Sequence, residues 1–289
     1  MPQDNNHLEA AAEAAPVSST EQHPESEPSE APRPDRPDAD GRYGSIRLGA
    51  VIDLTDNLPD SDAADAAIEH IVGKPLSDVP FSDLKLPEPI QKAVDNMGFV
   101  TCTPIQALAL PHTLKGRDLT GQAQTGTGKT AAFLITILKE FLETERVHPT
   151  APRAVVVAPT RELALQIADD AAALSYYTDF NVVTVFGGMD WQRQARDLED
   201  QVDLVVGTPG RMMDYMKRGI LELSYVQVVV VDEADRLFDM GFIQDIRFIL
   251  DRCARDRQTL LFSATFPFDV VRLTRKFMRD PVDVKIEPY

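Results

Sequence analysis

The 289 residues carry 46 acidic and 29 basic side chains, a net charge of −17, with 43% hydrophobic residues and two cysteines. Such a length allows one large or two small domains, and the apolar share is that of an ordinary soluble domain. No apolar run nears the ~20 residues of a membrane helix, and the polar, acidic first 40 residues do not read as a signal peptide.

Cys102 and Cys253 sit in separate motifs without zinc spacing around them. This favours two reduced thiols in a cytoplasmic protein over a disulfide or a metal centre. The negative charge argues against a protein that coats nucleic acid by bulk charge. It is unevenly placed: residues 1–80 hold 17 acidic and 5 basic side chains, which leaves a net charge of −5 on residues 81–289. A local basic track is compatible with that remainder.

In chain order, residues 1–40 are rich in Glu, Asp, Ala, Ser and Pro without apolar periodicity. They are expected to be disordered, because they cannot bury enough surface to offset their ordering entropy. Residues 41–80 are intermediate. Asp62–Val72, with Ala63, Ala67 and Val72 among its apolar positions, fits one short helix, read as part of a linker or as a partner-binding element. Residues 1–80 are therefore assigned to an acidic extension and linker, and 81–289 to one folded domain.

From Phe81 onward, short apolar runs alternate with helix-like stretches. The runs are Asp118–Gln122, Ala154–Ala158, Val182–Phe186, Leu204–Val206, Val226–Val231, Thr259–Phe262 and Val282–Ile286. Helical spacing falls in stretches such as Ala131–Phe141, Thr160–Leu174 and Asp190–Leu198. Near-continuous apolar runs mean strands buried on both faces, and the β–α alternation predicts a doubly wound α/β fold with a mostly parallel sheet. Ligands in that architecture sit at the C-terminal ends of the strands.

The stretch Ala123, Gln124, Thr125, Gly126, Thr127, Gly128, Lys129, Thr130 lies between the first run and the first of these helices. Gly126 and Gly128 let the backbone curl with its N–H groups inward, and the helix N-terminus adds partial positive charge for phosphate oxygens. In such a loop Lys129 reaches the β- and γ-phosphates and the Thr130 hydroxyl ligates Mg²⁺. The general pattern has glycine where this chain has Ala123, so the loop alone also fits a glycine-rich β–α turn with a chance lysine.

Farther on, Val228–Val231 ends in Asp232, Glu233, Ala234 and Asp235. Asp232 suits a Mg²⁺ held largely through water, and Glu233 suits a base or an acceptor that orients the attacking water. Alone, the quartet also reads as an acidic N-cap opening the next helix. Loop and quartet together point to a Mg·ATP site.

The motifs stand in a fixed order: the Ala123–Thr130 loop, Pro159–Ala164, Gly187 with Gly188, Thr208–Arg211, Asp232–Asp235 and Ser263–Thr265. In that order residues 81–289 resemble the first RecA-like domain of the DEAD-box ATP-dependent RNA helicases, a family that tolerates alanine at the position of Ala123. The stretch Cys102–Pro111 resembles the bacterial, degradosome-associated type.

The resemblance implies a RecA-like P-loop fold, ATP and Mg²⁺ as ligands, and RNA as partner. Phe99, Thr103 and Gln106 match the motif that reads adenine, with the Gln106 amide on the base edge, and Phe81 matches the aromatic that stacks on the base. Pro159, Thr160, Arg161, Gly187, Gly188, Thr208, Pro209, Gly210 and Arg211 match the RNA-contacting loops. Ser263 and Thr265 match a motif that bonds back to Asp235 and couples nucleotide state to strand handling. A protein partner is expected through the acidic segment or a degradosome-type assembly. The family also has a second RecA-like domain whose arginines complete the ATP site. Only 24 residues follow Thr265, so nucleotide binding with slow hydrolysis and no unwinding is the expectation for this chain alone.

Overall fold

A computed structural model describes residues 77–286. Most of the acidic extension, with the expected Asp62–Val72 helix, lies outside the described residues. A single 3-10 turn, Phe81–Leu84, precedes helices α1 (Glu88–Asn96) and α2 (Pro104–Thr113). Then strands and helices alternate: β1 (Leu119–Gln122), α3 (Lys129–Glu143), β2 (Ala154–Val157), α4 (Arg161–Leu174), β3 (Val182–Val185), α5 (Trp191–Asp197) and β4 (Leu204–Gly207). The series continues with α6 (Pro209–Lys217), β5 (Val228–Val231), α7 (Ala234–Asp239), α8 (Ile243–Leu250), β6 (Gln258–Ser263), α9 (Phe268–Phe277) and β7 (Val282–Lys285).

The strands form one seven-stranded sheet in the order β3-β4-β2-β5-β6-β1-β7, and every pairing is parallel. All seven expected strands are present, with ends that differ by one or two residues. Val226, for example, lies in a turn ahead of β5, its N–H bonded to the Leu223 carbonyl. Central strands β2, β4, β5 and β6 are buried at every position, whereas edge strand β7 alternates buried and exposed. That contrast is what helices on both faces of a parallel sheet impose.

Alternate residues feed two cores, following the two-residue period of a strand. Val156, Val230 and Phe262 pack with Ile90, Ile105, Phe133 and Ile167, so α1 to α4 cover one face. Val155, Val229, Val231 and Leu261 pack with Met212, Tyr215, Leu237, Ile249 and Leu273, so α5 to α9 cover the other. This is the doubly wound arrangement expected. Buried Asp118 ties β1 to β6 by accepting the Thr259 N–H at 2.8 Å, and it accepts the Arg279 N–H at 2.7 Å. Burial raises its pKa, although those N–H groups and the charges of Arg279 and Arg257 oppose the shift.

Close strand approach explains two glycines. A Cβ on Gly121 would come 2.4 Å from the Phe262 ring, and one on Gly207 only 2.0 Å from the Val185 carbonyl oxygen. Backbone cannot yield as a side chain can. Gly207→Ala is therefore expected to lower the unfolding free energy by at least ~1–3 kcal/mol. Gly187→Ala, whose Cβ meets nothing within 4 Å, should change it by less than about 1 kcal/mol. Urea denaturation of the two variants checks the difference, and equal midpoints would refute the close-approach account.

Candidate functional site

The strand order brings together loops that are far apart in sequence. The C-terminal ends of β1, β6 and β5 adjoin, which sets the Ala123–Thr130 loop, Ser263–Thr265 and Asp232–Asp235 side by side. The Ala123 N–H donates to the Ser263 carbonyl at 3.1 Å. Gly128 caps α3 at φ 92°, and a Cβ there would meet Gln106 Nε2 at 2.7 Å and Thr103 Oγ1 at 2.8 Å. Glycine is thus required at this position both by backbone conformation and by space.

Lys129 is 5% exposed. Its Nζ donates to the Ala123 carbonyl at 3.1 Å and lies 3.7 Å from Asp232 Oδ1. Asp232 is 2% exposed, and its Oδ1 accepts the Glu233 N–H at 2.9 Å. Burial pushes the Asp232 carboxyl up to about 6, with the nearby Lys129 charge opposing and the Glu233 charge assisting.

Glu233 holds φ 49°, ψ 52°, a left-handed conformation that costs a non-glycine residue about 1–3 kcal/mol and recurs at functional sites. Its Oε1 accepts the Thr125 hydroxyl at 2.9 Å and its Oε2 accepts Arg236 at 3.2 Å. Asp235 donates its N–H to Ser263 Oγ at 3.0 Å, and its Oδ2 accepts both the N–H and the hydroxyl of Thr265, at 2.8 and 2.9 Å. Burial disfavours the Asp235 charge, but bonds from Thr265, the Arg236 N–H and Ser263 outweigh it and hold the carboxyl below its ordinary value. The Ser263–Thr265 to Asp235 link expected from the resemblance is thus present. In the rest of the loop Gln124, Thr125 and Gly126 are exposed, Thr130 is half-buried, and the Thr127 hydroxyl donates to the Gln124 carbonyl at 2.8 Å.

Gln106 lies beside the same loop and is 3% exposed. Its Oε1 accepts the Thr103 N–H at 2.8 Å and its Nε2 donates to the Gly128 carbonyl at 3.0 Å. The amide expected on a base edge here ties α2 to the phosphate loop. The Thr103 side chain faces the Gln106 backbone in the capping box that opens α2. Phe81 is 1% exposed and stacked on Phe99 with ring centroids 6.0 Å apart, so in this arrangement its ring is a core residue whose face is covered.

The second group of loops follows β2, β4 and β3, which are also neighbours. Thr160 caps α4 by accepting the Leu163 N–H. Arg161 is exposed, its guanidinium 5.0 Å from the Phe186 ring centroid. Arg211 lies 5.5 Å from the Tyr215 centroid and reaches Tyr215 Oη at 3.4 Å and the Met189 carbonyl at 3.5 Å. Gly187 and Gly188 are exposed, with Gly188 at φ 82°, while a Cβ on Gly187 or Gly210 would meet nothing within 4 Å. Thr208 caps α6, and Pro159 and Pro209 are buried beneath the edge. Two cationic side chains are therefore held over aromatic rings on one open edge.

Sequence reasoning missed the Thr125–Glu233 and Gln106–Gly128 contacts, which only tertiary structure brings about. Arg236 was also missed, although its i, i+3 spacing from Glu233 was available as a signal.

A family model described as DEAD/DEAH box helicase matches residues 103–273, a span that takes in every loop described above. ATP-dependent RNA helicase RhlB of Histophilus somni (strain 129Pt) is 49% identical over 216 residues, covering 74% of this chain and 52% of that protein. The protein of the same name from Pseudomonas aeruginosa (strain UCBPP-PA14) is 50% identical over 214 residues, covering 72% and 54%. The chain thus spans about half the length of the curated relatives it matches. Among solved structures, a DEAD box protein from the hyperthermophile Methanococcus jannaschii superposes with a TM-score of 0.67 at 36% identity, covering 72% of this chain and 56% of that one.

The buried Asp232 carboxyl carries a pH signature. Its folded value of about 6 lies above the ordinary 3.8. Between the two values the folded chain keeps a proton that the unfolded chain has released, so this group stabilises the fold as pH falls from about 6 towards about 4. Asp232→Asn lacks that component. Melting temperatures of the wild type minus the variant, without metal or nucleotide, should therefore rise between pH 7 and pH 4.5, and a constant difference would contradict the assigned burial.

Proposed function

Because the chain belongs to the DEAD/DEAH box helicase family, we propose that it is the ATP-binding half of an ATP-dependent RNA helicase of the RhlB type. Hydrolysis and local duplex opening are proposed for the whole helicase, since the chain spans about half the length of the relatives it matches. The observation carrying the reading is the meeting of Lys129 with Asp232 at 3.7 Å, with Glu233 held 2.9 Å from the loop's Thr125. Phosphate-binding and metal-binding chemistry are thereby gathered at one strand edge.

The residues suit Mg·ATP. The curled loop turns its N–H groups and Lys129 to phosphate oxygens. Asp232 and the Thr130 hydroxyl are hard oxygen donors that would hold Mg²⁺. Bound Mg²⁺ supplies charge neutralisation on the transferring phosphate. Glu233 takes the proton of the attacking water or orients that water, and Gln106 and Thr103 present an amide and a hydroxyl beside the loop for the adenine end of the nucleotide. Asp235, Ser263 and Thr265 hold the acidic strand end against β6.

Single-stranded RNA lies along the β2, β4 and β3 loops, gripped at its phosphates by Arg161 and Arg211 with Gly187, Gly188 and Gly210 allowing close approach. No described helix is long and apolar enough to cross a membrane. The RhlB name of the relatives supports the bacterial type expected from Cys102–Pro111, and a degradosome-type protein partner belongs to the same proposal. A second arginine-bearing element is worth about 10³–10⁵ in rate in related phosphoryl transfer. In this reading nucleotide binding resides in the loops described above, and fast turnover draws on the part of the relatives that this chain does not span.

Two substitutions test the assignments. Lys129→Ala should abolish binding of a fluorescent ATP analogue, and unchanged affinity would refute the phosphate-loop role. Glu233→Gln, made in a chain carrying both helicase halves, should retain nucleotide affinity and lose RNA-stimulated phosphate release by at least about 100-fold. Normal turnover would remove Glu233 from catalysis.

A further inference from the structure

Beyond the arginines and glycines of the proposed RNA edge, one large aromatic stands on the same surface unexplained. Trp191 is the only tryptophan in the sequence. It opens α5 directly after the Gly187–Gly188 turn and is 44% exposed. An indole is among the largest apolar groups a chain can bury, so leaving it in solvent forgoes a favourable contribution that the adjacent Tyr215, fully buried, makes.

Its backbone is held in place. The Trp191 carbonyl accepts the Tyr215 hydroxyl at 2.6 Å, and Asp190 caps α5 through the Gln192 N–H at 2.9 Å. Tyr215 is also the residue over which Arg211 is held, and Arg211 contacts the Met189 carbonyl. The backbone of Trp191 and the guanidinium proposed to grip phosphate thus both meet the Tyr215 side chain. A third group completes the patch: the Arg218 guanidinium lies 5.4 Å from the Trp191 ring centroid while its Nε bonds Asp214 at 3.1 Å. Arg193, two residues on, is exposed. The local acids, Asp190 and Asp214, are both engaged by these hydrogen bonds.

An exposed aromatic flanked by arginines beside a phosphate grip is the combination that binds single-stranded nucleic acid through the faces of its bases. We propose that Trp191 is a stacking platform for one unpaired nucleobase of the RNA strand whose phosphate Arg211 holds. The proposal rests on the RNA-edge reading and adds a base contact to a surface otherwise suited to backbone. Every base has a π-face, so the contact is tolerant of sequence but demands an unpaired nucleotide. It would discriminate against a continuous duplex at this point of the edge.

The lone tryptophan reports on its own occupancy. The 289-residue chain, with Mg²⁺ and a non-hydrolysable ATP analogue, is titrated with a 12-nucleotide oligouridylate and with an abasic ribose-phosphate strand of equal length. Indole fluorescence reads stacking, and anisotropy of the end-labelled strand reads affinity. Saturable quenching is expected with the oligouridylate and little with the abasic strand. Trp191→Ala should weaken oligouridylate binding roughly 5- to 150-fold with an unchanged salt slope, whereas Trp191→Phe should restore most of the affinity. Arg211→Ala should weaken both strands and reduce the salt slope by about one.

Oligouridylate binding by anisotropy without quenching, or a Trp191→Ala affinity equal to wild type, overturns the stacking platform while leaving the edge reading intact. An unchanged affinity in Arg211→Ala, with Trp191 quenched, overturns the phosphate grip and leaves the base contact standing. Absence of binding to either strand overturns both.

Discussion

The physical constraint on which everything else depends is the parallel pairing of all seven strands. Parallel neighbours require crossover helices, and those helices cover both faces of the sheet. Strands such as Val228–Val231 then have no polar side available, because each position is buried. Polar chemistry is excluded from the strand bodies and concentrated where they end. Since the strands are parallel, those ends share one edge. The order β3-β4-β2-β5-β6-β1-β7 divides that edge in two. The β5, β6 and β1 ends carry the loop, the carboxylates and the Ser263–Thr265 brace, while the β2, β4 and β3 ends carry Arg161, Arg211 and the exposed glycines.

The first half of the edge stores unfavourable terms that the sheet must support. A Lys129–Asp232 pair almost wholly out of water pays a desolvation penalty that its attraction repays only in part. Glu233 adds backbone strain at φ 49°. Around them the loop is satisfied internally: Lys129 on the Ala123 carbonyl, Gln106 on the Gly128 carbonyl and Thr125 on Glu233. The Gln106 bond contributes about 0.5–1.5 kcal/mol net, and the two that involve the Lys129 and Glu233 charges about 1.5–3 kcal/mol each. A nucleotide offering charged phosphate oxygens can therefore displace them, whereas the apolar contacts of two cores keep the strand ends fixed.

The sheet was legible in the sequence because burial on both faces leaves a mark that needs no partner to be read, a short run of β-branched residues. Run ends were less so. Thr160 and Asp190 stand at the starts of the expected helices, yet both are caps with non-helical backbone, since a residue that ends a pattern can equally be the one that stops it. Short helices such as α7, six residues long, carry too little periodicity to be set apart. The phosphate loop and the acidic strand end were recognisable because their chemistry is local. The environments of Gln106 and Phe81 were not, because a buried amide and a buried ring look the same in sequence as exposed ones. Structure places the amide on the Gly128 carbonyl and the ring against Phe99.

What joins the two halves is backbone, with one side-chain hydroxyl among it. Ala123 donates to the Ser263 carbonyl and Asp235 donates to the Ser263 hydroxyl. Three residues before Asp235, the Asp232 N–H donates to the Val157 carbonyl at 3.0 Å. Ala158 then donates to the Gly207 carbonyl and Thr208 to the Val185 carbonyl, each at 2.9 Å. These bonds run across the edge from the phosphate loop to the turn before Gly187, through strands packed on both faces. An edge tied in this way cannot let Asp232 shift alone without straining the bond that leads towards Arg161. The ladder therefore acts as a rigid frame. Any difference between nucleotide states has to arise in the groups that stand off it: the Lys129 ammonium, the Thr125–Glu233 contact, the Thr265–Asp235 bonds and the two guanidiniums on their aromatic rests.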